Sequence, residues 1–170
     1  SGLPKNISDE SIEEAIEFSR SMDSHALLIY HNDEIILEKY FNDYNAETIS
    51  DTQSMHKTVL AMMIGIAIDE GIIESVNESA SKYLKEWKDD SRKLITIKHL
   101  LQQSSGLDYP EFSFHPLSEF NQLMLGEDVT KMTLLQTAYR KPNELFEYNG
   151  VNPQNLGLLL QRAYGKRYAD

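Results

Sequence analysis

Ser54-Met55-His56-Lys57, followed from Val59 to Ile68 by VLAMMIGIAI, decides how this chain is read. Ten positions without a charge predict a helix that is apolar on all sides and therefore buried. Thr52 or Asp51 opens that helix, and Gly71 follows the last charged pair, Asp69-Glu70, as its stop. Ser54 and Lys57 stand one turn apart, so both side chains lie on one face of its mouth. A hydroxyl beside an amine on a rigid support is the arrangement a lysine-activated serine nucleophile requires. A cation in the first turn also opposes the helix dipole, at a cost of roughly 0.3–1 kcal/mol. The same field favours the neutral amine, the form that can accept a serine proton.

Spacing alone does not establish that chemistry. With 16 serines and 11 lysines in 170 residues, about one Ser-x-x-Lys arises by chance. A second copy, Ser79-Ala80-Ser81-Lys82, lies in a polar segment and reads as a solvated face. The bland alternative for the first copy is a capping Ser54 with Lys57 extending to water.

Upstream, Ser8 or Asp9 caps a helix whose apolar positions are Ile12, Ala15, Ile16 and Phe18 or Ser19. Ala26–Tyr30 and Ile35–Phe41 flank the turn pair Asn32-Asp33 and predict a β-hairpin. Downstream, Ser75-Val76-Asn77-Glu78 fits a capping box, and the segment to Asp90 reads as polar and surface-lying. Thr96 opens a short helix through Gln103 that ends near Gly106, and residues 107–117 read as an irregular loop. Helices are expected at Ser118–Leu125, at Lys131–Tyr139, and from Asn152-Pro153 to a stop at Gly165. With one hairpin whose strands lack partners, two readings stay open: a helical fold with a minor hairpin, or a sheet whose other strands lie beyond Asp170. Two parts are expected: residues 1–50 with the first helix and hairpin, and residues 51–170 as a helical lobe.

The formal net charge of −11 excludes the basic stripe that a nucleic-acid partner demands. Zero cysteines exclude disulfides and thiolate chemistry, and no run reaches the roughly 18 apolar residues of a membrane span. His25 and His31 share a strand face without a carboxylate cluster beside them. His56 points about 100° from each neighbour on the helix, and no metal site or cofactor is read from these residues. Tyr109 and His115, in the long loop, are candidate cleft-lining residues.

Three motifs in order, Ser54-Met55-His56-Lys57, His99-Leu100-Leu101-Gln102-Gln103-Ser104-Ser105-Gly106-Leu107 and Phe146-Glu147-Tyr148-Asn149-Gly150, resemble the serine β-lactamase and penicillin-binding-protein superfamily. The likeness is to its class C-like branch of β-lactamases, esterases and 6-aminohexanoate-oligomer hydrolases. The resemblance implies the α+β class and a β-lactamase/transpeptidase-like fold, here its mostly helical lobe plus the N-terminal hairpin of the antiparallel sheet. It implies Ser54 as the acylated nucleophile, Lys57 as its proton-shuttling partner, and Tyr148 as general base or leaving-group acid. The Ser54 backbone N–H would be one oxyanion donor. His99 falls in a structural segment of that family. The implied substrate is a small ester, amide or β-lactam, and the implied location is periplasmic or secreted. Relatives carry Asn or Ser two residues after the tyrosine, where this chain has Gly150, so that substrate contact is expected to be either missing or supplied by Asn149 or Asn152. The third family motif, Lys/His-Thr/Ser-Gly, does not occur through Asp170. The chain is therefore expected to be an N-terminal portion, inactive alone, that associates with a C-terminal half or a second copy. The competing expectation is a catalytically dead binding or scaffold module.

Overall fold

The computed structural model describes residues 6–110, 114–118, 121 and 128–165. The chain divides into two compact units, Ser1–Asp51 and Thr52–Asp170.

The first unit opens with α1 (Asp9–Ser21), where the Ser8 hydroxyl accepts a hydrogen bond from the Ser11 N–H at 3.1 Å. Asp9 and Glu10 occupy its positive end. Ile12, Ala15, Ile16 and Ser19 form the half-buried stripe, while Phe18 is exposed. β1 (Ala26–His31) and β2 (Glu34–Tyr40) pair antiparallel, with Ala26 opposite Tyr40 and His31 opposite Glu34. Asn32 and Asp33 both adopt positive φ, 48° and 63°, the backbone that two-residue hairpin turns with matching twist require. Among the described residues the sheet has only these two strands.

The second unit is helical: α2 (His56–Asp69), α3 (Ile97–Leu101), α4 (Val129–Leu135) and α5 (Val151–Tyr164). A 3-10 turn, Gln53–Met55, leads into α2. The most enclosed helix is α5, which buries Val151, Leu156, Leu159 and Leu160 together with Asn152 and Asn155. It ends on Gly165 at φ 68°, a left-handed stop that glycine adopts without a Cβ penalty.

Enclosure of α2 on all sides is not observed. The helix buries Leu60, Ile64 and Ala67 toward the core shared with α5. Met55, Val59, Met62 and Ile66 form a second apolar stripe that is exposed. An apolar pattern on every face records that each face suits a dry partner, and this unit supplies one for a single face.

The segment from Ser75 to Asp90 also differs from its expected surface position. Its 3-10 turns place Ala80, Leu84 and Trp87 in the core. Ser75 makes a local turn, receiving the Asn77 N–H, instead of starting a helix. The third helix is shorter than expected because Gln103 turns left-handed at φ 55°. α4 stops at Leu135, and Ala138 instead bridges Leu107. Gly106 permits that crossing, since a Cβ there would lie 2.4 Å from the Arg140 carbonyl oxygen. The helix expected at Ser118–Leu125 falls largely outside the described residues.

Candidate active site

The site is assembled within the second unit from two ends of the sequence. Ser54 sits in the 3-10 turn and Lys57 in the first turn of α2, so helical geometry stacks the lysine over the serine. The Lys57 Nζ donates to Ser54 Oγ at 2.8 Å. The Tyr148 hydroxyl reaches the same oxygen at 2.7 Å. The Lys57 ammonium also lies 5.1 Å from the Tyr148 ring centroid, within cation–π range. Ser54 and Tyr148 are exposed and Lys57 is half-buried, so the three polar groups meet at an accessible surface.

These contacts set the acidity of Tyr148. Its hydrogen bond with Ser54 and then that with Lys57, helped by the lysine charge, hold the phenol below its ordinary 10.0, against a smaller upward push from burial. The lysine therefore favours the phenolate, the form that can accept a proton from Ser54.

The backbone before Ser54 is strained. Gln53 adopts φ 47° without being glycine, a conformation that costs on the order of 1–3 kcal/mol and persists where surroundings enforce it. His56 Nδ1 lies 2.6 Å from the Gln53 carbonyl oxygen and ties that turn. The histidine two residues after Ser54 is thus engaged with the main chain. No sequence pattern announces the left-handed glutamine.

Asn149 and Asn152, expected to contact substrate, are buried instead. The Asn152 N–H donates to Asn149 Oδ1 at 3.1 Å, and Asn152 Nδ2 donates to Gln103 Oε1 at 2.8 Å. Ser105 Oγ donates to Asn152 Oδ1 at 2.5 Å. Gln103, Ser105 and the Asn152 main chain thus supply partners for these side chains in the interior, where an unpaired polar group would be costly. Gly150 is the N-cap of α5, and a Cβ on it would stand 3.4 Å from the Tyr109 hydroxyl. Tyr109 therefore occupies the space opposite Gly150. Burial first, and then the neighbouring Tyr148, raise its phenol above 10.0, against the Gly150 backbone. His115 is exposed and bonds locally, accepting the Leu117 N–H on Nδ1 at 3.2 Å.

His99 belongs to the frame. Its Nδ1 accepts the Thr96 N–H at 3.1 Å while its own N–H donates to Thr96 Oγ1 at 3.3 Å, a reciprocal cap of α3. Burial and then the Lys98 charge lower its pKa from 6.5. A mostly apolar hollow of about 470 Å³ lies between α2 and α5, with Met55, Val59, Met63 and Pro153 in its wall. Ser54, Lys57 and Tyr148 do not line it. Among the described residues no helix is long and apolar enough to cross a membrane.

Comparison with known proteins places this geometry in context. The family model for beta-lactamase matches residues 10–170. Protein flp of Staphylococcus aureus is 27% identical over 156 residues, covering 85% of this chain and 31% of that protein. Among solved structures, a protein assigned as a 6-aminohexanoate-dimer hydrolase from Bacillus anthracis superposes with a TM-score of 0.72 at 22% identity, over 89% of this chain and 43% of its own. FmtA from Staphylococcus aureus gives 0.62 at 21%, over 99% of this chain and 48% of its own. The chain thus spans about a third of the curated relative and under half of these structures.

Proposed function

The chain belongs to the beta-lactamase family, and we propose that Ser54 is the nucleophile of a serine hydrolase or acyltransferase acting on a small ester, amide or β-lactam. The observation that carries this reading is the convergence of Lys57 Nζ and the Tyr148 hydroxyl on Ser54 Oγ, at 2.8 and 2.7 Å, from positions 94 residues apart in the case of the tyrosine.

In the proposed reaction the Tyr148 phenolate takes the Ser54 hydroxyl proton as Oγ attacks the carbonyl carbon. The bond to the leaving atom breaks, and Tyr148 returns the proton to that atom. Water then attacks the acyl-serine ester, giving one proton to Tyr148, and Tyr148 passes that proton to Ser54 Oγ as the Oγ–acyl bond breaks, which restores the Ser54 hydroxyl and the phenolate. Lys57 stabilises the phenolate and passes the proton between the two oxygens. The Ser54 N–H, at the entrance to α2, is the proposed oxyanion donor. Tyr109 and Gly150, beside Tyr148, form the adjoining wall that substrate would touch. The buried amides of Asn149 and Asn152 serve that wall from behind.

Incubating the folded protein with a fluorescent penicillin and, separately, a fluorophosphonate tests the reading. Covalent label located on the Ser54 peptide, and lost in Ser54→Ala, is the expected result. Folded wild-type protein that takes no label from either probe would overturn it.

A further inference from the structure

Tyr148 is 57% exposed, so packing does not hold its hydroxyl on Ser54. Its backbone, however, is bracketed. The Glu147 N–H donates to the Gln103 carbonyl oxygen at 2.8 Å, and the Asn149 N–H donates to the Gln103 side-chain Oε1 at 3.2 Å. Both neighbours of Tyr148 are therefore anchored to one residue.

Gln103 suits this task in two ways. Its φ of 55° is left-handed, which allows the carbonyl and the side-chain oxygen to serve the same stretch of chain. Its side chain is only 9% exposed as a residue and its Oε1 accepts a second bond, from Asn152 Nδ2 at 2.8 Å. Asn152 is held in turn by Ser105 Oγ and by Asn149 Oδ1. The bracket is thus locked by a closed set of buried hydrogen bonds that includes the first turn of α5. Such networks fix one geometry because a partly satisfied alternative leaves buried polar atoms unpaired.

We propose that Gln103 is a positioning residue for the reaction at Ser54, holding the 147–149 backbone so that the Tyr148 hydroxyl meets Ser54 Oγ. This rests on the assignment of Tyr148 as the proton-transfer group. A misplacement of about 1 Å at such a group can cost on the order of a hundredfold in rate.

Gln103→Asn separates side-chain reach from backbone preference. Asparagine also tolerates left-handed φ, but its shorter side chain cannot span to both Asn149 and Asn152. The acylation rate of the folded protein with p-nitrophenyl acetate is expected to fall about tenfold to a hundredfold, with KM little changed and the basic limb of the pH profile moved to higher pH. Gln103→Glu, which keeps an acceptor oxygen, is expected to recover most of the rate. In a Tyr148→Phe background Gln103→Asn should change the residual rate less than twofold. Equal losses in both backgrounds would mean fold damage only and overturn the proposal, as would a Gln103→Asn variant with wild-type rate. Tyr148→Phe acylating at the wild-type rate would instead remove the tyrosine assignment itself, and this inference with it.

Discussion

The two Ser-x-x-Lys copies have the same spacing and opposite fates. Met55 and His56, beside Ser54, are already helical, at φ/ψ of −62°/−26° and −56°/−23°, so Lys57 stands directly over Ser54 Oγ. Ser79 is extended at φ −64° and ψ 129° and caps the turn that follows it. Its Oγ accepts the Ser81 N–H and donates to the Lys93 carbonyl at 2.7 Å. Lys82 turns away to Glu78 at 2.6 Å, and that hydrogen bond raises its pKa from 10.5. A serine inside the turn receives the lysine, whereas a serine that caps the turn spends its oxygen on the backbone. The conformation of the serine, more than the interval to the lysine, separates the two.

The largest expected contrast is in turnover. Lys57→Met should lower acylation of Ser54 by about 10²- to 10⁴-fold, while Lys82→Met should leave it within twofold, both read by p-nitrophenyl ester hydrolysis. Equal losses would erase the distinction. Next in size is pH dependence. Because Tyr148 is held below its ordinary 10.0 and is proposed to act as the anion, acylation should rise with pH through its pKa and level off above it. Tyr148→Phe should be slower by roughly 10²-fold and lack that limb.

The smaller effects belong to the Ser79 corner and should appear in stability alone. Ser79→Ala removes a cap and is expected to cost about 1 kcal/mol in denaturant unfolding, with the rate of acylation unchanged. Thr96 bridges Ser79, and burial and then the Lys98 charge push the pKa of its partner His99 below 6.5. A histidine whose folded pKa lies below 6.5 binds fewer protons than in the unfolded chain. Stability should therefore be full above pH 6.5 and decline as pH falls from there toward the folded pKa. Melting of His99→Gln should be flatter over that window, and an unchanged slope would show that another group sets it.

Local patterns carried the parts of this molecule whose causes are local. The Ser8 cap, the positive-φ pair Asn32-Asp33 and the Gly165 stop were all legible, since each is set by residues within one turn. Ser54 and Lys57 were legible as neighbours for the same reason, and Tyr148 through the resemblance of its motif. That α2 would be left partly uncovered followed only from the resemblance, because a run of apolar residues does not by itself say how many partners surround it. Trp87 in the core escaped notice because charged neighbours masked its segment. The roles of Gln103, Asn149 and Asn152 were invisible, because their hydrogen bonds join positions 46 and 49 residues apart and leave no periodic trace.

The 94-residue separation of Ser54 and Tyr148 has a consequence for the order in which this protein matures. Contacts between distant residues repay their loop-closure entropy only after the intervening chain has gathered. Lys57 can meet Ser54 as soon as one helical turn forms, but the tyrosine arrives only when α5 has docked. Reactivity of the serine during refolding should thus lag the growth of helical signal, which makes covalent labelling a clock for the last stage of folding.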